Sequence, residues 1–313
     1  MPLHPQAARM AAAAASTRPL PLREMNLADI RGGFQPGPPC EGDGVEIDTF
    51  SIPGPVGPVT VRRYVSAAAR EVASTAPVIL YFHGGGWVMG TLPGYDCLCR
   101  PLATAAEAIV LSVDYSLSPE RRFPTAVEEC FSALCAAAEA YEISTESTAG
   151  RPLVVAGDSA GGNLAAAVAL MSRDRGGPPL ELQLLIYPVL DSGCDTPSYH
   201  ENAEGYLLTR ESMLWFWEQY LAHPDDGLHA WASPLRASSL QNLPAAHIIT
   251  CEFDPLRDEG EQYAERLLAA GVPAEFTRID GMIHGFLRHT DVIDTARETI
   301  QALGEVVRRQ AGR

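Results

Sequence analysis

Apolar positions along the chain follow two periods. Short apolar or β-branched runs occur at VEIDTFSI (45–52), VTVRRYV (59–65), APVILYFH (76–83), AIVLSVD (108–114), LVVAG (153–157), LQLLIYP (182–188), AAHIIT (245–250) and AEFTRI (274–279). Each predicts a strand. From the third run onward helical spacing fills the gaps, as in FPTAVEECFSALCAAAEAYE, GEQYAERLLAAG and DVIDTARETIQALGEVVRR. Such alternation predicts an α/β fold: an eight-stranded, mostly parallel sheet with helices on both faces. The connector PGPVGP between the first two runs is too short for a helical crossover, so these two should pair antiparallel at one edge.

Two regions break the alternation. Residues 1–42 are helical only in part, and residues 192–225 include SYHENAEGYLLTRESMLWFWEQYLAH, with two of the four tryptophans. Both are expected to form a helical cap over the carboxyl edge of the sheet, where open α/β sheets bind ligands. Residues 43–191 and 226–313 would then make up the domain built on the sheet.

Composition narrows the classes of function. In 313 residues, 46% are hydrophobic, which is enough for a sizeable core. The formal charge of −16, with no basic run, argues against nucleic acid and anionic membrane partners. All 23 basic residues are arginine. Without lysine there is no Schiff-base chemistry, no lysine-bound pyridoxal phosphate and no Walker-type phosphate loop. Seven cysteines with no CxxC pair suggest free thiols rather than a disulfide framework or a zinc site. RMAAAAAS is too short and too weakly apolar for a secretory signal, and no stretch reaches membrane-spanning length. The expectation is a cytoplasmic protein.

The candidate chemistry centres on Ser159. In VVAGDSAGGNLAA it follows a strand and precedes good helix formers, flanked by Gly157 and Gly161. That is the strand, sharp turn and helix setting of a G-x-S-x-G nucleophile elbow. A serine hydroxyl needs a base for its proton and donors for the oxyanion that forms. In ILYFHGGGWVMG, the glycines after His83 free backbone N–H groups to converge, and the amides of Gly85 and Gly86, with Ala160, are the expected donors. His83 and Gly84 would brace that loop.

For the base, His284 lies just beyond the last strand on a turn flanked by Gly281 and Gly285, while His247 sits inside a strand and reads as core. The orienting acid should fall between serine and histidine in the chain. Asp254 leaves the seventh strand before Pro255 and is favoured, with Glu252, Asp258 and Glu259 as alternatives. Trp87, Tyr187, Met213, Trp215, Trp217 and Phe286 are candidates for an apolar substrate pocket, against the plainer reading of aromatic residues at helical spacing as core.

HGGGW, DYSLSPERRFP, GDSAGGN, DPLRDE and HGF, in this order, resemble the hormone-sensitive-lipase family of α/β-hydrolases, in its bacterial branch with the GDSAG signature. The resemblance spans about residues 45–290. It implies Ser159 as nucleophile, Asp254 as acid, His284 as base, and Gly85, Gly86 and Ala160 as oxyanion hole. It also implies a cap from the N-terminal segment and the excursion after the sixth strand, a preference for short to medium acyl chains, and homodimers paired through edge strands or last helices. Ser116 and Ser118 depart from the family's usual YRLAPE, which puts local hydrogen bonding in doubt but no catalytic role. Asp158 looks structural.

The resulting expectation is two-step ester hydrolysis through an acyl-enzyme on a small-molecule substrate, calling for no metal or cofactor. An amidase or peptidase on the same fold is one rival, and a paired ester and amide assay separates the two. A non-catalytic small-molecule binding protein is the other; burst kinetics with an activated ester would exclude it.

Overall fold

The computed structural model describes residues 2–17, 20–32, 44–72, 74–143 and 151–312. Among these, eight strands form one sheet: β1 (Glu46–Gly54), β2 (Gly57–Val65), β3 (Val78–Phe82), β4 (Ile109–Asp114), β5 (Leu153–Asp158), β6 (Leu182–Ile186), β7 (Ala245–Phe253) and β8 (Ala274–Ile283). Ten α-helices accompany them. They are α1 (Pro5–Thr17), α2 (Leu27–Gly32), α3 (Ala67–Glu71), α4 (Asp96–Ala105), α5 (Thr125–Ala140), α6 (Ala160–Arg175), α7 (Pro197–Glu201), α8 (Arg210–Tyr220), α9 (Arg257–Ala269) and α10 (Asp294–Gln310). Residues 33–42 of the expected N-terminal cap lie outside the described residues.

The strand order is β1-β2-β4-β3-β5-β6-β7-β8. Only β2 runs against its neighbours: it pairs antiparallel with both β1 and β4, and all later pairings are parallel. β3, β5 and β6 are buried at every position. Helices cover both faces there, so no position along these strands turns to water. Side chains alternate between the two faces. Leu80, Phe82 and Val155 enter the core that includes Val127 and Leu134 of α5 and Leu164 of α6, whereas Ile79, Tyr81 and Val154 enter the one with Leu98 and Leu102 of α4 and Leu303 of α10.

β8 changes character along its length. Its first half is mostly exposed at the sheet edge, and its last three residues, Gly281–Ile283, are buried. The buried end brings the chain inward over the carboxyl edge, where the ends of β5 and β7 also lie. Departures from the usual hydrogen bonding at Ser116 are taken up locally, since its amide and hydroxyl both donate to the Glu129 carboxylate, at 2.6 and 2.8 Å.

Candidate active site

Ser159 stands between β5 and α6 with φ +56° and ψ −120°, in the left-handed half of backbone space that L residues rarely occupy. Main-chain bonds hold it there, among them one from the Val189 amide to its carbonyl at 3.2 Å. Its N–H donates to the Ile186 carbonyl at 2.9 Å, and its own carbonyl accepts the Asn163 amide at 3.0 Å. The flanking glycine at 161 is required by proximity, because a Cβ there would run into the Phe82 carbonyl and one at Gly157 into the Gly161 backbone. The helix therefore starts in main-chain contact with β3, and the serine is fixed at the rim.

Three side chains distant in sequence meet at this rim. His284 Nε2 lies 2.9 Å from Ser159 Oγ, and His284 Nδ1 lies 2.7 Å from Asp254 Oδ2. With Asp254 accepting from Nδ1–H, Nε2 is left as the acceptor for the serine hydroxyl. Asp254 is fully buried, and its other oxygen accepts the Leu256 amide at 2.9 Å. Ser159 and His284 each keep 7% of their surface exposed, enough to reach a substrate. The other acids considered at the end of β7 are committed elsewhere. Glu252 accepts the Gly281 amide at 2.7 Å, Asp258 accepts the Ser198 amide at 2.8 Å, and Glu259 accepts the Leu190 and Asp191 amides, each at 3.1 Å.

The glycine segment after β3 packs against the same point. Gly84 N–H donates to Asp158 Oδ1 at 2.9 Å, and the hydroxyls of Tyr81 and Tyr95 donate to the same carboxylate at 2.8 and 3.0 Å. Burial pushes the Asp158 carboxyl up, and these three donors pull it back toward the ionised form. Gly86 has φ +59°, and any side chain there would strike the Phe216 ring. Among the described residues the amides of Gly85 and Gly86 donate to no protein acceptor. His83 is buried beneath the loop, with Nδ1 2.8 Å from the Gly84 carbonyl and its ring stacked on Tyr115 at 4.3 Å. Burial lowers its pKa to about 4, so it stays neutral at pH 7.

A cavity of about 670 Å³ opens over these groups, lined by Ser159, His284, Gly85 and Gly86. That volume suits a small organic molecule. Its wall is built by α1, through Gln6, Arg9, Met10, Ala13 and Ala14, by Leu207, Leu208, Ser212 and Phe216 around α8, and by Arg288, His289 and Val292. Helix α1 is moored beside His284: the His4 amide donates to the Gly281 carbonyl at 2.9 Å, and Gln6 Nε2 donates to Asp294 at 3.0 Å.

The apolar pocket expected from the large side chains needs correcting, for none of Trp87, Tyr187, Met213, Trp215, Trp217 and Phe286 lines the cavity. Trp87 is fully buried and stacks on Tyr220 at 4.2 Å, with Trp217 at 4.7 Å. On α8, Ser212 and Phe216 are one turn apart and face the cavity, so Met213, Trp217 and Tyr220 turn into the core and Trp215 sits beside Phe216. Tyr187 and Phe286 form a second layer, with the Tyr187 ring 4.7 Å from that of His284 and 6.1 Å from that of Phe286. The wall residues missed in the sequence include an alanine-rich stretch of α1 that carries no local signal beyond helix propensity.

Comparisons with known proteins agree with this geometry. The pattern of the family described as the alpha/beta hydrolase fold matches residues 79–288. The esterase LipI of Mycobacterium tuberculosis (strain ATCC 25618 / H37Rv) is 42% identical over 252 residues, 80% of this chain and 77% of that protein. The ethyl acetate hydrolase of Pseudomonas putida is 38% identical over 245 residues, 76% of this chain and 75% of that protein. Among solved structures, the hyperthermophilic esterase of the archaeon Pyrobaculum calidifontis superposes with a TM-score of 0.88 at 36% identity, over 99% of each chain. A Ser–His–Asp relay at the carboxyl edge of an eight-stranded sheet, matched in fold and sequence over most of its length, makes this chain a member of the α/β-hydrolase family, in its hormone-sensitive-lipase and carboxylesterase branch.

Proposed function

We propose that the protein is a serine carboxylesterase that hydrolyses esters of short to medium acyl chains. The observation that carries this reading is the chain of contacts from Ser159 Oγ to His284 to Asp254, at 2.9 and 2.7 Å, in a cavity beside the Gly85 and Gly86 amides.

In this reading Ser159 Oγ attacks the ester carbonyl carbon as its proton passes to His284 Nε2. The negative charge that develops on the carbonyl oxygen is held by the amides of Gly85, Gly86 and Ala160. His284 then gives the proton to the departing alcohol, leaving an acyl-serine. Water repeats the sequence, losing a proton to His284, and releases the acid. Asp254 keeps the imidazole in the useful tautomer and stabilises the imidazolium that forms. Gly84, Asp158 and His83 support the donor loop.

The short-chain preference is supported by the cavity's modest volume and by the names of the relatives, one of which is an ethyl acetate hydrolase. Residues 1–42 and 192–225 are assigned as the cap, a role supported by the wall contributions of α1 and α8. Among the described residues, no helix is long and apolar enough to cross a membrane. A cytoplasmic setting is supported by the six described cysteines, all free and five of them buried. Homodimer pairing through β8 is supported by that strand's place at the sheet edge and by the exposed Phe276 on it.

Turnover of p-nitrophenyl esters from acetate to palmitate, each paired with the matching anilide, tests the reading. The expected result is activity that peaks at short to medium chains, exceeds that on the anilides, and disappears after labelling by a serine-directed phosphonate. A peak at palmitate would overturn the chain-length assignment, and no labelling at Ser159 would overturn the mechanism.

A further inference from the structure

The turn that carries Asp254 closes on itself through local bonds. The Leu256 amide reaches Asp254 Oδ1 at 2.9 Å, and the Arg257 amide reaches the Asp254 carbonyl at 3.2 Å. Those bonds set the shape of the turn. They do not by themselves set where its carboxylate stands relative to His284, which follows the neighbouring strand β8.

Below the turn, Phe253 pairs with Ile283 and Glu252 accepts the Gly281 amide, which sets the end of β7 beside that of β8. Apart from His284, the partners of the turn itself from outside β7 come from one short piece of the excursion after β6. Ser198 grips both sides of it: its hydroxyl donates to the Pro255 carbonyl at 2.6 Å and accepts the Asp258 amide at 3.2 Å, while its own amide donates to Asp258 Oδ2 at 2.8 Å. Asn202 Nδ2 donates to the carbonyl of Asp254 itself at 3.3 Å. Both side chains are buried, with Ser198 at 0% and Asn202 at 4% exposure. At the rim Arg257 Nη2 pairs with Glu201 at 2.8 Å. The start of the excursion is tied to the same neighbourhood by the Leu190 and Asp191 amides on Glu259. A few residues further on, the excursion supplies Leu207, Leu208 and Phe216 to the cavity wall.

We propose that Ser198 and Asn202 are positioning residues for the hydrolytic reaction, holding the main chain of residues 254–258 so that the Asp254 carboxylate meets His284 Nδ1. The proposal rests on the esterase reading for its kinetic consequence. Its physical basis is that a buried carboxylate and an imidazole on separate elements keep a 2.7 Å contact only if the backbone beneath each is fixed. The β7–β8 pairing fixes the backbone up to Phe253, and Ser198 and Asn202 hold the turn beyond it. Removing the Ser198 hydroxyl leaves the buried Pro255 carbonyl and Asp258 amide without their partner, which favours a shift of the turn toward new ones.

The test compares Ser198→Ala, Asn202→Leu and the double variant with the parent on p-nitrophenyl acetate, with thermal melts to establish folding. A displacement of about 1 Å costs up to about 100-fold in rate, so partial release should lower kcat by roughly tenfold in each single variant and more in the double. KM should stay within about twofold, since neither residue touches the cavity. The low-field proton resonance of the His284 Nδ1–H should move upfield or vanish by exchange in the variants, and Ser198→Thr, which keeps the hydroxyl, should recover most of kcat. Folded variants with parental kcat and an unmoved resonance would overturn the proposal, as would a folded Ser198→Thr no better than Ser198→Ala. If Ser198→Ala does not fold, Asn202→Leu alone decides by the same two readouts. A parent without ester turnover would sink the esterase reading instead, and the resonance would still decide the positioning role.

Discussion

Ser159, His284 and Asp254 come from the ends of β5, β8 and β7, and the amides beside them from the end of β3, all in the parallel part of one sheet. The wall above them comes from α1, from residues 207–216 and from the turn after His284, only the last of which continues a strand of that sheet. The first group is held by main-chain contacts and buried hydrogen bonds that tolerate almost no substitution. The second is held mostly by apolar packing, which accepts any side chain of roughly the right size. Reaction and substrate choice are therefore separable in this molecule, and substitutions in the two groups should fail in different ways.

The largest effect belongs to the nucleophile. Ser159→Ala is expected to reduce kcat on p-nitrophenyl acetate by at least ~10⁴-fold with the melting temperature nearly unchanged, measured by initial rates and a thermal scan. Retained turnover would break the assignment of chemistry to the rim. Gly161→Ala should act on the fold instead: the new methyl meets the Phe82 carbonyl, so helix and strand must part, at a cost of roughly 4 kcal/mol by denaturant titration.

His83 makes the centre sensitive to acid. Its folded pKa is lowered to about 4 by burial, reinforced by Arg288 and partly offset by its bond to Gly84, while the unfolded chain titrates near 6.5. Between those values the unfolded chain binds more protons than the folded one, so stability falls as pH drops from 6.5 toward 4, by about 3 kcal/mol in total. His83→Gln should flatten that part of the stability profile, as read by melts across the range.

The smallest effect should lie in the wall. Phe216→Ala is expected to raise kcat/KM for hexanoate relative to acetate by about tenfold, the worth of one or two methylenes in an apolar site. Trp215→Ala, whose side chain does not line the cavity, should lower stability and leave the chain-length profile in place. The reverse outcome would mean that α8 presents a different face to substrate.

The same division governs what could be read in the sequence. Strands, elbow and base were legible because each imposes a local rule: continuous apolar runs for a doubly covered sheet, glycines where two backbones touch, a histidine on a turn at a strand end. Among the acids near the end of β7, composition offered four candidates, and only three-dimensional contact assigns Asp254 to the imidazole and the other three to backbone amides. Which side chains form the wall was not legible. On α8, Met213, Trp215, Phe216 and Trp217 lie within five consecutive residues, and which of them faces the cavity depends on how the helix is rolled against Trp87 and the core. The contribution of α1 depends on a docking contact at Gly281 that no local pattern announces.

The approach of Gly161 to the Phe82 carbonyl bears on how such a scaffold diversifies. Where a nucleophile's address is written in backbone touching backbone, drift among the surrounding side chains cannot move it. Descendants can exchange the overlying helices, widen or narrow the mouth, and acquire new substrates while inheriting the same reactive oxygen at the same place. A backbone contact this close is thus what leaves the roof above it free to evolve.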